Sequence, residues 1–167
     1  GECAIGNFVA DAYRWAADAD VGLQNTPGLR SGPPIRGAVT VGDIVSLVPF
    51  DAAVAVASVT GTQLQSIFEQ AEGSRMPGLG DYWHAQISGA TVHRGPAIEV
   101  TVDRTPIDPA ERYTLATTEY LLVTDTEFPA LGEADCIDRL DRQHEVIAAY
   151  ARREGIEPTT DGRIQGP

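Results

Sequence analysis

The chain has 167 residues, 43% of them apolar, enough to bury a real core as one domain. It carries 24 acidic residues against 12 basic ones, and every basic residue is Arg, giving a net charge of -12. That balance argues against nucleic-acid polymers and anionic membrane surfaces as partners, and no apolar run is long enough to span a bilayer.

The elements follow in chain order. Gly1-Glu2-Cys3 has neither a basic nor an apolar leader region, so no signal peptide is expected there. The absent initiator Met points to processing or excision from a longer chain. Ile5, Phe8, Val9, Ala12, Tyr13 and Ala16 recur at helical spacing and predict an amphipathic helix over 3–18. Residues 20–24 read as a buried strand, and the Gly- and Pro-rich run 27–37 as a loop. Thr40 with Asp43, and Thr60 with Gln63, are capping boxes that open helices through Val48 and through Ala71. Between them, 52–59 reads as a strand. Gly73 to Asp81 is a loop, and alternating Ile98, Val100 and Val102 mark a strand with one buried face. Tyr113 to Leu122 reads as a further strand, 145–153 as a late helix and 163–165 as a short final strand. The order predicts an α+β fold, with a mixed or mostly antiparallel sheet packed with about four helices.

Two readings fit the acidic surplus. Hydrated carboxylates keep a protein soluble in concentrated salt and repel one another at low salt, as on a halophile's surface. A GC-rich genome explains the missing Lys, but not the excess of Asp and Glu. Cys3 and Cys136 form no C-x-x-C pair, which argues against a zinc site. Buried free thiols are expected, with a disulfide as the other possibility.

Familiar catalytic motifs are absent: there is no G-x-x-x-x-G-K-[ST], G-x-G-x-x-G or G-x-S-x-G. His84, His93 and His144 lack metal-ligand spacing and read as surface or structural residues. Carboxylates are too common for any pair of them to stand out. No catalytic or metal-ligating set emerges. What remains is a set of recognition residues. Asn25 and Arg30 flank a tight turn after the first strand, and Arg presents five fixed donors to a phosphate or a diol. Phe50 follows Pro49. Tyr120 ends the strand that begins at Tyr113, and Asp125 and Phe128 lie in the loop beyond it. For Arg30 the plain alternative is a surface ion pair, and for the aromatic residues it is core packing.

Five segments in order carry a resemblance. They are Glu2-Cys3-Ala4-Ile5-Gly6-Asn7-Phe8-Val9-Ala10-Asp11-Ala12, Asn25 to Arg30, Thr40-Val41-Gly42-Asp43-Ile44, Pro49-Phe50 and Val59-Thr60-Gly61-Thr62-Gln63-Leu64. Together they resemble the C-terminal domain of 5'-nucleotidases, a family that includes UDP-sugar hydrolases and 2',3'-cyclic nucleotide phosphodiesterases. The resemblance implies that residues 1–167 are one nucleotide-recognition domain, separated from an N-terminal metallophosphoesterase domain. It implies that Asn25, Arg30 and Asp125 hold the polar parts of a nucleotide or nucleoside while Phe50 and Tyr120 stack on its base. No cofactor is implied in this chain itself; two divalent metal ions are implied for the partner domain, which alone would be catalytic. An extracytoplasmic or cell-surface setting is also implied. Three departures stand out. Thr26-Pro27 replaces a double glycine, the acid at Asp125 is displaced by one residue, and the sequence starts too late to include an Arg that the family tends to carry before its first helix. A stand-alone or degenerate binding module without activity is the alternative.

Overall fold

The computed structural model describes residues 1–32 and 34–166, so Pro33, within the 27–37 loop, and Pro167 lie outside the described residues. Helix α1 spans Ala4–Ala17, followed by β1 (Val21–Asn25), α2 (Val41–Leu47), β2 (Ala53–Thr60) and α3 (Gly61–Gln70). Four strands come next: β3 (Ala85–Ser88), β4 (Ala90–His93), β5 (Glu99–Val102) and β6 (Thr105–Pro106). The chain continues with β7 (Arg112–Thr118), α4 (Glu119–Val123), β8 (Cys136–Arg142), α5 (Gln143–Glu154) and β9 (Ile164–Gln165). Among the described residues no helix is long and apolar enough to cross a membrane.

The strands form two mixed sheets, as the α+β reading requires. The larger has the order β3-β1-β7-β2-β8, parallel only between β1 and β7. The smaller has the order β6-β5-β4-β9, with β9 parallel to β4. Along β2, Val54 packs into a layer with Phe8, Tyr13, Val48 and Ile147, from α1, α5 and the end of α2. Its neighbours Ala55, Ala57 and Val59 pack the other way, against α3 and the smaller sheet. Covering both faces explains the nearly unbroken apolar run in β2. Helix α1 lies so close to β1 that a Cβ on Gly22 would sit 2.2 Å from the carbonyl oxygen of Ala10. Both expected capping boxes form. Thr40 Oγ1 accepts the Asp43 N–H at 3.2 Å, and Thr60 Oγ1 accepts the Gln63 N–H at 3.1 Å.

Two expectations change, and two strands are added. The strand read over 113–122 stops at Thr118, and Tyr120 lies in the first turn of α4. Leu121 and Leu122 are both buried; consecutive residues of a strand point to opposite faces, so turning into a helix lets both enter one core layer. Strands β3 and β4 come from a stretch with no clear alternation, because β3 is buried along its whole length. They are joined by Gly89 at φ 76°, a left-handed conformation that suits glycine. Cys3 and Cys136 are free thiols, as expected, but each is only half-buried.

The Glu2–Asp11 segment acts as a latch. The Glu2 carboxylate accepts the N–H groups of Asp161 (2.9 Å) and Gly162 (3.1 Å) and a bond from Asn7 Nδ2 (2.6 Å). Asp11 grips Arg163 through two bonds of 2.7 and 3.0 Å, and Arg163 also binds Asp161. The Arg163 hydrogen bond holds the Asp161 carboxyl below its ordinary range. A depressed folded pKa stabilises the fold above the unfolded value of about 4. That stabilisation is lost as pH falls through the lower folded value. Asp161→Asn is therefore expected to flatten the fall of melting temperature below about pH 4; curves that stay parallel to wild type through that window would contradict it.

Candidate functional site

The parallel strands β1 and β7 run in the same direction, so Asn25 and Thr118 end at the same edge of the sheet. There a cavity of about 440 Å³ opens, within the ~300–1,000 Å³ usual for small-molecule sites. Four of the residues expected from sequence line it: Asn25, Arg30, Phe50 and Tyr120. They arrive from the end of β1, the turn after it, the bend after α2 and the first turn of α4.

The rings are not core residues. Phe50 is 44% exposed and Tyr120 48% exposed. The Arg30 guanidinium lies over the Phe50 ring, 5.0 Å from its centroid, and donates to the carbonyl oxygen of Pro27 at 3.3 Å. Its backbone N–H is fixed on the carbonyl of Leu47 at 2.9 Å. The Thr26-Pro27 departure gives an ordered turn. Residues Thr26–Gly28 form one turn of 3-10 helix, with Pro27 in its first positions. Thr26 Oγ1 accepts a bond from Gln86 Nε2 at 3.2 Å. Gly28 allows this turn to approach the site closely. A Cβ there would lie 2.2 Å from Gln24 Nε2 and 2.5 Å from Asn25 Oδ1.

Asp125 is exposed and is not among the residues lining the cavity. The loop delivers Glu127 in its place. Phe128 is fully buried and draws its neighbour inward. Asn25 Nδ2 then donates to both Glu127 oxygens, at 3.0 and 3.1 Å. A buried carboxylate is costly unless hydrogen-bonded, and Asn25 meets only part of its capacity for roughly four bonds. Glu127 therefore has acceptor capacity left for a ligand. Sequence reasoning missed it because so many acidic residues concealed it; its place directly before Phe128-Pro129 was the available signal. It also missed Gln24 and Gln143, buried amides that line the same cavity. For Gln24 the signal was a long polar side chain at the end of an apolar strand.

None of the three histidines lines the cavity. His84 is buried and stacked on Tyr82, with ring centroids 4.0 Å apart. Among the described residues, no group of three or more His, Cys, Asp or Glu side chains is placed to hold a metal ion.

The family model of the 5'-nucleotidase C-terminal domain matches residues 1–133, and the chain belongs to that family. It is similar to the trifunctional nucleotide phosphoesterase protein YfkN of Bacillus subtilis, 26% identical over 98% of this chain and 12% of that protein. It is also 30% identical to the endonuclease YhcR of the same organism, over 99% of this chain and 14% of that protein. The fold matches the crystal structure of a 5'-nucleotidase precursor from Thermus thermophilus, with a TM-score of 0.80 and 24% identity, over 98% of this chain and 35% of that one. The chain thus spans less than a sixth of those two curated relatives.

Proposed function

We propose that the cavity binds the nucleoside part of a nucleotide, and that this chain is the substrate-recognition domain of a 5'-nucleotidase-type hydrolase. The observation that carries the reading is one cavity lined by two half-exposed rings, one Arg and an Asn-held carboxylate. Each ring offers a face to a base. Glu127 accepts from a sugar diol. Arg30 supplies positive charge against an acidic field, suiting a phosphate or a ribose oxygen. In the family's other domain two metal ions would activate water and clamp the phosphoryl oxygens. This chain's own part in such a protein is to hold the nucleoside.

The test is calorimetric titration of the chain with AMP. One saturable site is expected, without phosphate release when Mn²⁺ or Co²⁺ is added. The 2',3'-dideoxy analogue is expected to bind roughly tenfold more weakly or worse, because Glu127 loses its charge-assisted partners. No detectable AMP binding would refute the recognition role. Phosphate release scaling with pure protein would refute the division of labour.

A further inference from the structure

Tyr13 is fully buried on α1 and is not among the residues lining the cavity. Its hydroxyl nevertheless lies 2.9 Å from Oε1 of Gln24 and 2.9 Å from Oε1 of Gln143, and both glutamines do line it. From there two arms diverge. Gln24 Nε2 donates to the Asn25 carbonyl at 2.8 Å and to Asn25 Oδ1 at 2.9 Å, and Asn25 passes the chain on to Glu127. Gln143 Nε2 donates to the Phe50 carbonyl at 2.6 Å. The orientations of both amides are thereby fixed, since turning either would set one carbonyl oxygen against another. A phenol has one proton, so the two glutamine oxygens share it in turn. Burial pushes the phenol far above its ordinary range, which keeps that proton in place at any working pH.

We propose that Tyr13 is a positioning residue of the nucleoside site, its hydroxyl tying the Asn25–Glu127 half to the Phe50 half through the two glutamine amides. The inference rests on reading the cavity as a nucleoside site. The two halves come from distant segments: β1 and the 124–128 loop on one side, the bend after α2 on the other. Tyr13 sets their spacing through the hydrogen-bond chain without itself lining the cavity.

The experiment measures AMP affinity for the wild-type chain, Tyr13→Phe, Gln143→Met and the double variant, well below their melting temperatures. Tyr13→Phe removes one oxygen and keeps the ring. It is expected to weaken binding roughly five- to tenfold. Gln143→Met is expected to do the same, and the double variant to be no worse than the stronger single one, because both cut one connection. In the free protein, the side-chain amide NMR signals of Gln24 and Gln143 should both move in Tyr13→Phe. A Tyr13→Phe protein that melts lower yet binds AMP like wild type would overturn the proposal and leave Tyr13 a structural residue. Fully additive losses would overturn it too. Wild type failing to bind AMP would instead refute the nucleoside reading itself. Should Tyr13→Phe not fold, Gln143→Met decides by its own affinity, since it leaves the phenol in place and cuts only the Phe50 arm; wild-type affinity there overturns the proposal.

Discussion

Phe50→Ala and Tyr120→Ala are each expected to weaken AMP binding by roughly five- to a hundredfold. A base stacked on an aromatic ring gains about 1–3 kcal/mol, by analogy with single-strand nucleic-acid binders, and that range sets the fold-change. Phe50 is expected to show the larger loss, because its ring also carries the Arg30 guanidinium at 5.0 Å. Removing the ring frees Arg30 as well as baring the base. Phe50→Trp should keep both functions and restore most of the affinity. Stability separates this from a packing effect. Both rings are about half exposed, so truncation should change folding free energy by only about 0.5 kcal/mol, as at ordinary surface positions. The same substitutions, placed in a protein that joins this chain to a family metallophosphoesterase domain, should raise KM with little change in kcat, because the interaction is equal in ground and transition states. Unchanged affinity in both Ala variants would remove the rings from the site.

Helices α1 and α3, and four of the cavity's lining residues, Asn25, Arg30, Phe50 and Tyr120, were legible for physical reasons. Helices α1 and α3 announce themselves by apolar spacing and caps, and both signals are local. Asn25 and Arg30 sit at a turn fixed by Pro27 and Gly28, so their neighbourhood follows from a short stretch of chain. The rest depends on distant partners. Strand β3 is buried along its length and has no polar face to betray its period. Strand β8 lies at a sheet edge, and its exposed charged residues, Asp138, Arg139, Asp141 and Arg142, hide a strand pattern behind solvent-facing polarity. Helix α4 reads as strand in the sequence because five residues carry too little periodicity to outweigh the β-rich run before them. The exchange of Asp125 for Glu127 depends on where Phe128 is buried, and Gln143 reaches Phe50 across 93 positions of sequence. No local pattern encodes either.

Melting temperature is expected to climb steadily as KCl rises from low to molar concentration, consistent with a halophilic surface. Among the described residues, seven of the 24 carboxylates form ion pairs: Asp11, Asp51, Glu72, Glu119, Glu133, Glu154 and Asp161, with five arginines. Most of the others face solvent with like charges around them, and a net charge of -12 remains. At about 0.1 M salt the Debye length is about 10 Å, so neighbouring carboxylates still repel; at about 1 M it falls to about 3 Å and the repulsion is largely gone. Screening also weakens exposed ion pairs, such as Arg153–Glu154 at 3.0 Å, but these contribute little in any case. The pairs that matter more are sheltered. Arg94–Glu72 at 2.7 Å has side chains 18% and 10% exposed, and Arg163–Asp11 at 2.7 Å has 16% and 26% exposed. Salt reaches such pairs least, so relief of repulsion dominates and the net effect is stabilising. Because the effect is one of screening, NaCl and KCl should act alike, whereas sucrose at equal osmolality should not reproduce the low-salt part of the rise. A melting temperature that stays flat across the salt range would show that the fold does not depend on screening and would favour the genome-composition reading over the halophilic one.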